Sequence, residues 1–284
     1  MTVAVYTLGC KVNIYESEFV ISLLKKNNYE IVDFNEKADI YIINTCSVTN
    51  ESDKKNRKII NEAKRRNKDA IIVVMGCYSQ VNPNLIEADI VIGNKDKSKI
   101  IELLDECIKK KEKIKKIYDI RKTNFETMSI DKFENHTRAF VKIQEGCNAF
   151  CSYCIIPFTR GGLRSKDEDE AVNEITTLVN NGYKEIVLTG IHTGRYGIEK
   201  NTSLEHLLNR LVKIPNIFRI RLSSIEINEI TPGILELIKN NKIMAKHLHI
   251  PLQSGSDKIL KLMNRKYNIE FYINKINEIR KLIP

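Results

Sequence analysis

The chain has 284 residues, with 46 lysines and arginines against 36 aspartates and glutamates, and therefore a formal net charge of +10. Its composition, 42% hydrophobic and 29% charged, excludes wholesale disorder, and its length favours two domains. The sequence contains no apolar run of about 18 residues and no secretory signal, so we expect a cytoplasmic protein with no membrane partner. The excess of positive charge favours an anionic partner such as RNA.

The first hundred residues repeat one pattern, in which a short β-branched apolar run is followed by a turn and a polar helix. Short apolar runs that alternate with helices are typical of a parallel sheet buried on both faces. We therefore predict a doubly wound α/β domain over residues 1–117. Its predicted strands are Val3–Tyr6, Ile40–Ile43, Ile71–Met75 and Ile90–Ile92, and its main predicted helices are Ser17–Asn27, Asp53–Arg66 and Ile100–Lys116.

Residues 118–137 have weak periodicity and mixed polarity, and we predict that they form a linker. The βα alternation then resumes over residues 138–284, without the glycine-rich dinucleotide fingerprint after its first strand. This pattern favours a partial, incomplete α/β barrel over a second dinucleotide-binding fold. The predicted strands are Ala139–Ile143, Glu185–Leu188, Phe218–Leu222 and His247–Ile250.

Three of the seven cysteines follow successive predicted strands of the N-terminal domain: Cys10, Cys46 and Cys77. Without an export signal, these thiols are expected to be reduced, which favours metal ligation or catalysis over disulfides. Ligands gather at the carboxyl ends of parallel strands, so we expect the three cysteines to converge at one edge of the sheet. The alternative is that they are buried apolar residues, but their repeated position after a strand favours metal ligands.

A second group of cysteines follows the predicted strand Ala139–Ile143 with the spacing C-x3-C-x2-C: Cys147, Cys151 and Cys154. A loop with this spacing can bind three irons of a cubane iron–sulfur cluster and leave the fourth iron open to another ligand. Zinc is the alternative, but structural zinc sites generally use four protein ligands. The sequence offers no fourth ligand nearby, so it favours a cluster.

These motifs resemble the radical S-adenosylmethionine (radical SAM) methylthiotransferase family along the whole chain. Within the family, the chain is most similar to the branch that modifies threonylcarbamoyladenosine in tRNA. The branch that modifies isopentenyladenosine usually differs in the segment aligned with Ser223–Glu226, and the branch that modifies a ribosomal protein usually differs in the segment aligned with Gln253–Ser256. The resemblance rests on Thr7–Asn13, Ile43–Cys46, Lys142–Cys147, Val187–Gly194, Arg221–Glu226 and His249–Ser256.

The resemblance implies two [4Fe-4S] clusters, one on each group of three cysteines, together with S-adenosyl-L-methionine (SAM). It further implies that a deoxyadenosyl radical removes hydrogen from carbon 2 of N6-threonylcarbamoyladenosine at position 37 of tRNA, and that a methylthio group is inserted there. The implied partners are the anticodon stem-loop of tRNA, a low-potential electron donor and a sulfur donor. Cys147, Cys151 and Cys154 are then catalytic as well as metal-binding.

Five further residues lie at the predicted catalytic face of the barrel. Gly190 ends the second barrel strand, where a close backbone approach suits the methionine end of SAM. Ser224 and Glu226 end the third strand, while His249 and Gln253 flank the end of the fourth. We predict that all five bind the cofactor and that Glu226 is also catalytic, although each is alternatively a structural glycine or polar residue.

Several basic residues are candidates for contacts with RNA phosphate. Arg160 and Arg164 follow the cluster loop and are predicted to meet RNA phosphate or the SAM carboxylate; the alternative is a surface loop with solvated guanidinium groups. The run Lys109–Lys116 is expected to be a solvated helix, and Cys107 a packing residue. Further phosphate-binding candidates on the helix after Cys46 are Lys54, Lys55, Arg57, Lys58, Lys64, Arg65 and Arg66.

Two alternatives to this function remain open. One keeps the chemistry but changes the substrate to isopentenyladenosine in tRNA or to an aspartate of a ribosomal protein. The other is a non-enzymatic metal-binding RNA protein with zinc at both cysteine sites. Members of the resembled family continue beyond the position of Pro284 into further barrel strands and an RNA-binding β-barrel, so we expect a truncated chain that binds clusters but methylthiolates poorly.

Overall fold

The computed structural model describes residues 1–133 and 136–284. The chain divides into two units: unit 1 comprises Met1–Ile130 and Phe158–Gly161, and unit 2 comprises Asp131–Pro157 and Gly162–Pro284. Two residues of the predicted linker 118–137, Glu134 and Asn135, lie outside the described residues.

Unit 1 contains a six-stranded parallel sheet with the strand order β2-β1-β3-β4-β5-β6. Every residue of the central strand β3 is buried, because helices cover both faces of the sheet. The doubly wound class predicted for this domain is confirmed. The strands are β1 (Thr2–Thr7), β2 (Glu30–Val32), β3 (Ile40–Thr45), β4 (Ile71–Gly76), β5 (Ile90–Ile92) and β6 (Ile114–Lys116).

The helices of unit 1 follow the strands and shape the carboxyl edge of the sheet. The predicted helix Ile100–Lys116 is wrong at its end: Lys111 takes a left-handed conformation with φ 55°, and Ile114–Lys116 pairs with β5 instead. The helices are α1 (Lys11–Lys26), α2 (Asn50–Arg66), α3 (Cys77–Val81) and α4 (Ile100–Lys110).

Unit 2 contains a four-stranded sheet with the order β10-β9-β7-β8. Its three longer strands are parallel, and the two-residue strand β8 is antiparallel to β7. The strands are β7 (Ala139–Glu145), β8 (Arg164–Ser165), β9 (Glu185–Gly190) and β10 (Arg219–Leu222). The helices that lie wholly in unit 2 are α6 (Glu168–Asn180), α7 (Leu204–Leu211), α8 (Pro232–Asn240), α9 (Asp257–Leu262) and α10 (Ile269–Leu282). The short helix α5 (Ile156–Arg160) begins in unit 2, and its last three residues belong to unit 1.

The predicted strand His247–Ile250 is wrong as a strand. Among the described residues, this segment forms only an isolated bridge, between His249 and Ser224, and Ser224 lies just beyond the end of β10. His247 and His249 are exposed, and the following Pro251 has no N–H to extend a ladder. Among the described residues, the structure has no helix with the length and apolar character needed to cross a lipid bilayer.

Candidate functional site

Cys10, Cys46 and Cys77 lie at the same edge of the unit 1 sheet. Each directly follows, or comes a few residues after, one of the adjacent parallel strands β1, β3 and β4. Burial raises the pKa of the Cys46 thiol, and the charges of the nearby Cys77 and Cys10 raise it further, although a hydrogen bond from the Val48 backbone lowers it. The three cysteines were predicted to lie at one edge of the sheet, and the structure places them there.

Two glycines allow the cysteine loops to approach one another. Gly9 has φ 107°, and a Cβ at this position would lie 3.1 Å from Cys46 Sγ. Gly76 has φ 105°, and a Cβ there would lie 2.5 Å from the Thr45 carbonyl oxygen. A larger residue at either position would meet both backbone strain and a close contact.

Buried asparagines fix the backbone of these loops. Asn13 donates to the carbonyl oxygens of Leu8 (2.7 Å) and Thr45 (3.0 Å). Asn56 on α2 accepts from the Cys46 amide at 3.3 Å and donates to the Cys46 carbonyl at 2.6 Å. Asn56 lies within the basic helix predicted from sequence. Its basic neighbours were predicted to bind phosphate, but no role was predicted for Asn56 itself.

Arg160 is fully buried in unit 1 beside Cys77. Its Nε donates to Cys77 Sγ at 3.2 Å, one terminal nitrogen donates to Glu16 at 2.6 Å and the other to Asn13 at 2.6 Å. The predicted contact of Arg160 with RNA phosphate or the SAM carboxylate and the alternative of a solvated guanidinium are therefore both wrong. Arg164 is half-buried in β8, and its contact with RNA phosphate or the SAM carboxylate stays a prediction.

The second group of cysteines follows β7 in unit 2. Cys147 Sγ lies 3.2 Å from His192 Nδ1 and accepts from the Ala149 amide at 3.4 Å. Cys151 Sγ accepts from Arg265 at 3.3 Å. Burial raises the pKa of the Cys154 thiol, although a hydrogen bond from the Ile156 backbone lowers it. Each of the first two sulfurs thus faces a nitrogen from a distant part of the sequence.

His192 connects Cys147 with a carboxylate. Its Nε2 lies 2.7 Å from Glu229 Oε1. Burial acts to lower the pKa of His192, but its interactions with Cys147 and Glu229 outweigh burial and raise the pKa to about 10. His192 lies within the motif Val187–Gly194 but was not predicted as a site residue, and neither was Glu229.

Arg265 links the cysteine loop with Glu226. Its guanidinium forms an ion pair with the Glu226 carboxylate and lies over the Tyr267 ring, 5.2 Å from the centroid. Burial acts to lower the pKa of Arg265, but Glu226 and Cys151 raise it above its ordinary value. Cys151, His192, Glu226, Glu229 and Arg265 are among the residues that line one cavity of about 190 Å³ in unit 2.

Among the described residues that line this cavity, the other four predicted cofactor-binding residues are absent: Gly190, Ser224, His249 and Gln253. Gly190 packs against Gln144, where a Cβ would lie 3.0 Å from the Gln144 Cβ. Ser224 and His249 form the isolated bridge and are exposed, as is Gln253, which has φ 65°.

The six cysteines have free thiols and provide two sets of three sulfur donors. Within residues 1–133 and 136–284, the structure has no group of three His, Cys, Asp or Glu side chains placed to hold a single metal ion. In a four-iron cluster each cysteine binds a different iron, so the sulfurs surround a cube and do not meet at one point. In addition, nitrogen atoms lie within hydrogen-bonding distance of the sulfurs of Cys77, Cys147 and Cys151, and hydrogen bonds to the sulfur are typical of cysteine thiolates that bind a metal.

The basic residues of α2 differ in their contacts. Lys54 pairs with Glu51 at 2.7 Å and Lys64 with Glu87 at 3.7 Å, whereas Lys55 and Lys58 are exposed one helical turn apart. Cys107 is buried in the core of unit 1, as expected for a packing residue.

Two family profiles match the sequence. The profile described as "Uncharacterized protein family UPF0004" matches residues 2–96, and the profile "Radical SAM superfamily" matches residues 141–284. A solved structure of the radical S-adenosylmethionine methyltransferase TsrM from Kitasatospora setae is similar with a TM-score of 0.68 over 99% of this chain and 66% of that chain, at 13% sequence identity. This likeness concerns the fold alone.

Curated relatives share much higher sequence identity. The threonylcarbamoyladenosine tRNA methylthiotransferase MtaB of Bacillus subtilis is 46% identical over 100% of this chain and 64% of its own length. The MtaB of Aquifex aeolicus is 42% identical over 98% of this chain and 69% of its own. A tRNA-2-methylthio-N6-dimethylallyladenosine synthase of Clostridium botulinum is 36% identical over 98% of this chain and 64% of its own. This chain therefore spans less than two thirds of the length of the first and third of these relatives.

Proposed function

The chain belongs to the radical SAM methylthiotransferase family, and on this premise we propose that it converts N6-threonylcarbamoyladenosine at position 37 of tRNA to its 2-methylthio derivative. The observation that carries the proposal is the pair of three-cysteine groups, one after strands β1, β3 and β4 of the unit 1 sheet and one after β7 of the unit 2 sheet. The identity of 42% to a relative named for this activity, of which the chain covers 69%, supports the choice of substrate.

Cys147, Cys151 and Cys154 would hold the cluster that binds SAM. A cluster and SAM bound there would supply low-potential electron transfer and a carbon-centred radical, which no side chain provides. Arg265 donates to Cys151 Sγ and holds Glu226 in the cavity. In this site Glu226 and Arg265 offer an acceptor and a donor for the ammonium and carboxylate groups of an amino acid ligand.

Cys10, Cys46 and Cys77 would hold the second cluster. A cluster bound there would supply a site for the sulfur that is transferred to the nucleoside. Gly9 and Gly76 permit the close approach of the loops, while Asn13 and Asn56 fix their backbone. The chain thereby holds the three thiols in place through groups that do not themselves bind iron.

Isopentenyladenosine in tRNA is the second candidate substrate, because a dimethylallyladenosine synthase is 36% identical to this chain. Mass spectrometry of tRNA nucleosides from a strain that lacks the gene separates the two. We expect loss of the 2-methylthio-threonylcarbamoyl nucleoside with the isopentenyl series unchanged, and recovery on return of the wild-type gene but not of Cys147→Ala. Loss of the methylthio-isopentenyl nucleoside alone would contradict the proposed substrate.

A further inference from the structure

Arg160 occupies a position in unit 1 that is costly for a guanidinium group. The side chain is 0% exposed, and a charge can remain buried only when partners replace its lost hydration. Glu16, also 0% exposed, provides an ion pair at 2.6 Å, and Asn13 provides an acceptor at 2.6 Å. The third direction of the planar group ends on the sulfur of Cys77 at 3.2 Å.

The partners of Arg160 are themselves fixed. Glu16 also pairs with the buried Lys97 at 3.2 Å, and Asn13 is held by its own hydrogen bonds to the carbonyl oxygens of Leu8 and Thr45. The guanidinium therefore has one favourable orientation, because its rigid fork must satisfy Glu16 and Asn13 together. That orientation directs the Nε–H at the sulfur.

We propose that Arg160 is a positioning residue that holds Cys77 as a cluster ligand and raises the reduction potential of the cluster on Cys10, Cys46 and Cys77. The inference rests on the proposed function, which assigns a cluster to these cysteines. An N–H bond to a ligating sulfur withdraws electron density and favours the reduced cluster. A partner that orients a ligand also slows its release. Asn94 assists from 3.6 Å through its side-chain amide.

The test uses the full chain with Cys147, Cys151 and Cys154 changed to Ala, reconstituted anaerobically so that only the unit 1 site can hold iron. This parent chain should bind about four iron atoms. In this background we expect Arg160→Met to retain a cluster with a lower midpoint potential in a redox titration followed by electron paramagnetic resonance. Release of iron to a chelator should become about tenfold faster.

Tyr41→Phe is the matched control in the same unit. It removes buried hydrogen bonds of the Tyr41 hydroxyl with Glu36 and Ala38 at the amino end of β3, whereas Cys46 follows its carboxyl end. We expect the control to lower the stability of unit 1 and to leave the midpoint potential unchanged. A merely structural role of Arg160 would make the two variants alike.

The outcomes separate the two proposals. If the parent chain binds no cluster, both the proposed second cluster and the role of Arg160 fail. If the cluster forms and Arg160→Met leaves both its potential and its iron release unchanged, only the role of Arg160 is overturned. Should Arg160→Met fail to fold, Arg160→Lys keeps the charge but loses the fork, and a potential equal to that of the parent would overturn the inference.

Discussion

Glycines allow the cysteine loops of unit 1 to lie close together. At Gly76 we can test whether the loops require a glycine. Its φ of 105° and ψ of −155° lie in a region open almost only to glycine, and an added Cβ would lie 2.5 Å from the Thr45 carbonyl oxygen. We expect Gly76→Ala to lower the free energy of opening of β3 and β4 by about 3 kcal/mol, from strain plus overlap. Amide hydrogen exchange of β3 and β4 measures this free energy of opening.

Gly182 provides the matched control. Its φ is 95°, but a Cβ there would meet nothing within 4 Å. We therefore expect Gly182→Ala to lower the free energy of opening of the adjacent β9 by only about 1 kcal/mol. Equal effects of the two substitutions would show that the contact with Thr45 is unimportant.

Single residues show where local sequence is informative. The six cysteines were found because their spacing and their position after apolar strands are visible along the chain, although their ligand roles stay a prediction. Arg160 was misjudged because its partners Glu16 and Asn13 are more than 140 residues away. Arg265 was missed for the same reason, since its contact with Cys151 spans 114 residues.

Among the elements, the long buried strands were predicted correctly and the short edge strands were not. β3 and β4 bury five or more of their six residues, so their apolar runs are unmistakable. β2 and β6 have three residues each, none of them buried, and both are defined by their pairing with β1 and β5. Pairing between distant segments leaves little trace in local composition.

Helix α2 offers the sharpest test of RNA binding. Lys55 and Lys58 are exposed at i, i+3 spacing on the helix that begins shortly after Cys46, so both can contact one phosphate backbone. We expect the double variant Lys55→Glu, Lys58→Glu to weaken binding of a tRNA anticodon stem-loop and to reduce the salt dependence by about one unit for each lost phosphate contact. Fluorescence anisotropy over a potassium chloride series measures both.

The control for this prediction carries the same change of charge elsewhere in unit 1. Lys109 is exposed at the end of α4, and Lys113 is exposed just before β6. Both belong to the run Lys109–Lys116, which was predicted to be solvated. We expect Lys109→Glu, Lys113→Glu to leave the salt dependence unchanged. If both double variants weaken binding equally, net charge and not a docking face explains the affinity.

At the scale of the whole molecule, the two groups of cysteines belong to different units of the chain. Each unit has its own sheet and its own set of three sulfur donors. Zinc at both sites would require four converging ligands in each, and the described residues provide no group of even three around one point. Two independent clusters, one on each set of donors, are the arrangement that we propose.

This independence predicts the iron content of two variants. With about eight iron atoms in the reconstituted wild-type chain, we expect about four after Cys10, Cys46 and Cys77 are changed to Ala, and about four after Cys147, Cys151 and Cys154 are changed. Anaerobic iron and sulfide analysis with visible absorbance measures this, and Cys107→Ala, in the core of unit 1, is the control that should keep the full content. Loss of all iron from either triple variant would contradict two separate sites. Stoichiometric zinc without iron-dependent absorbance would instead favour the non-enzymatic metal-binding RNA protein.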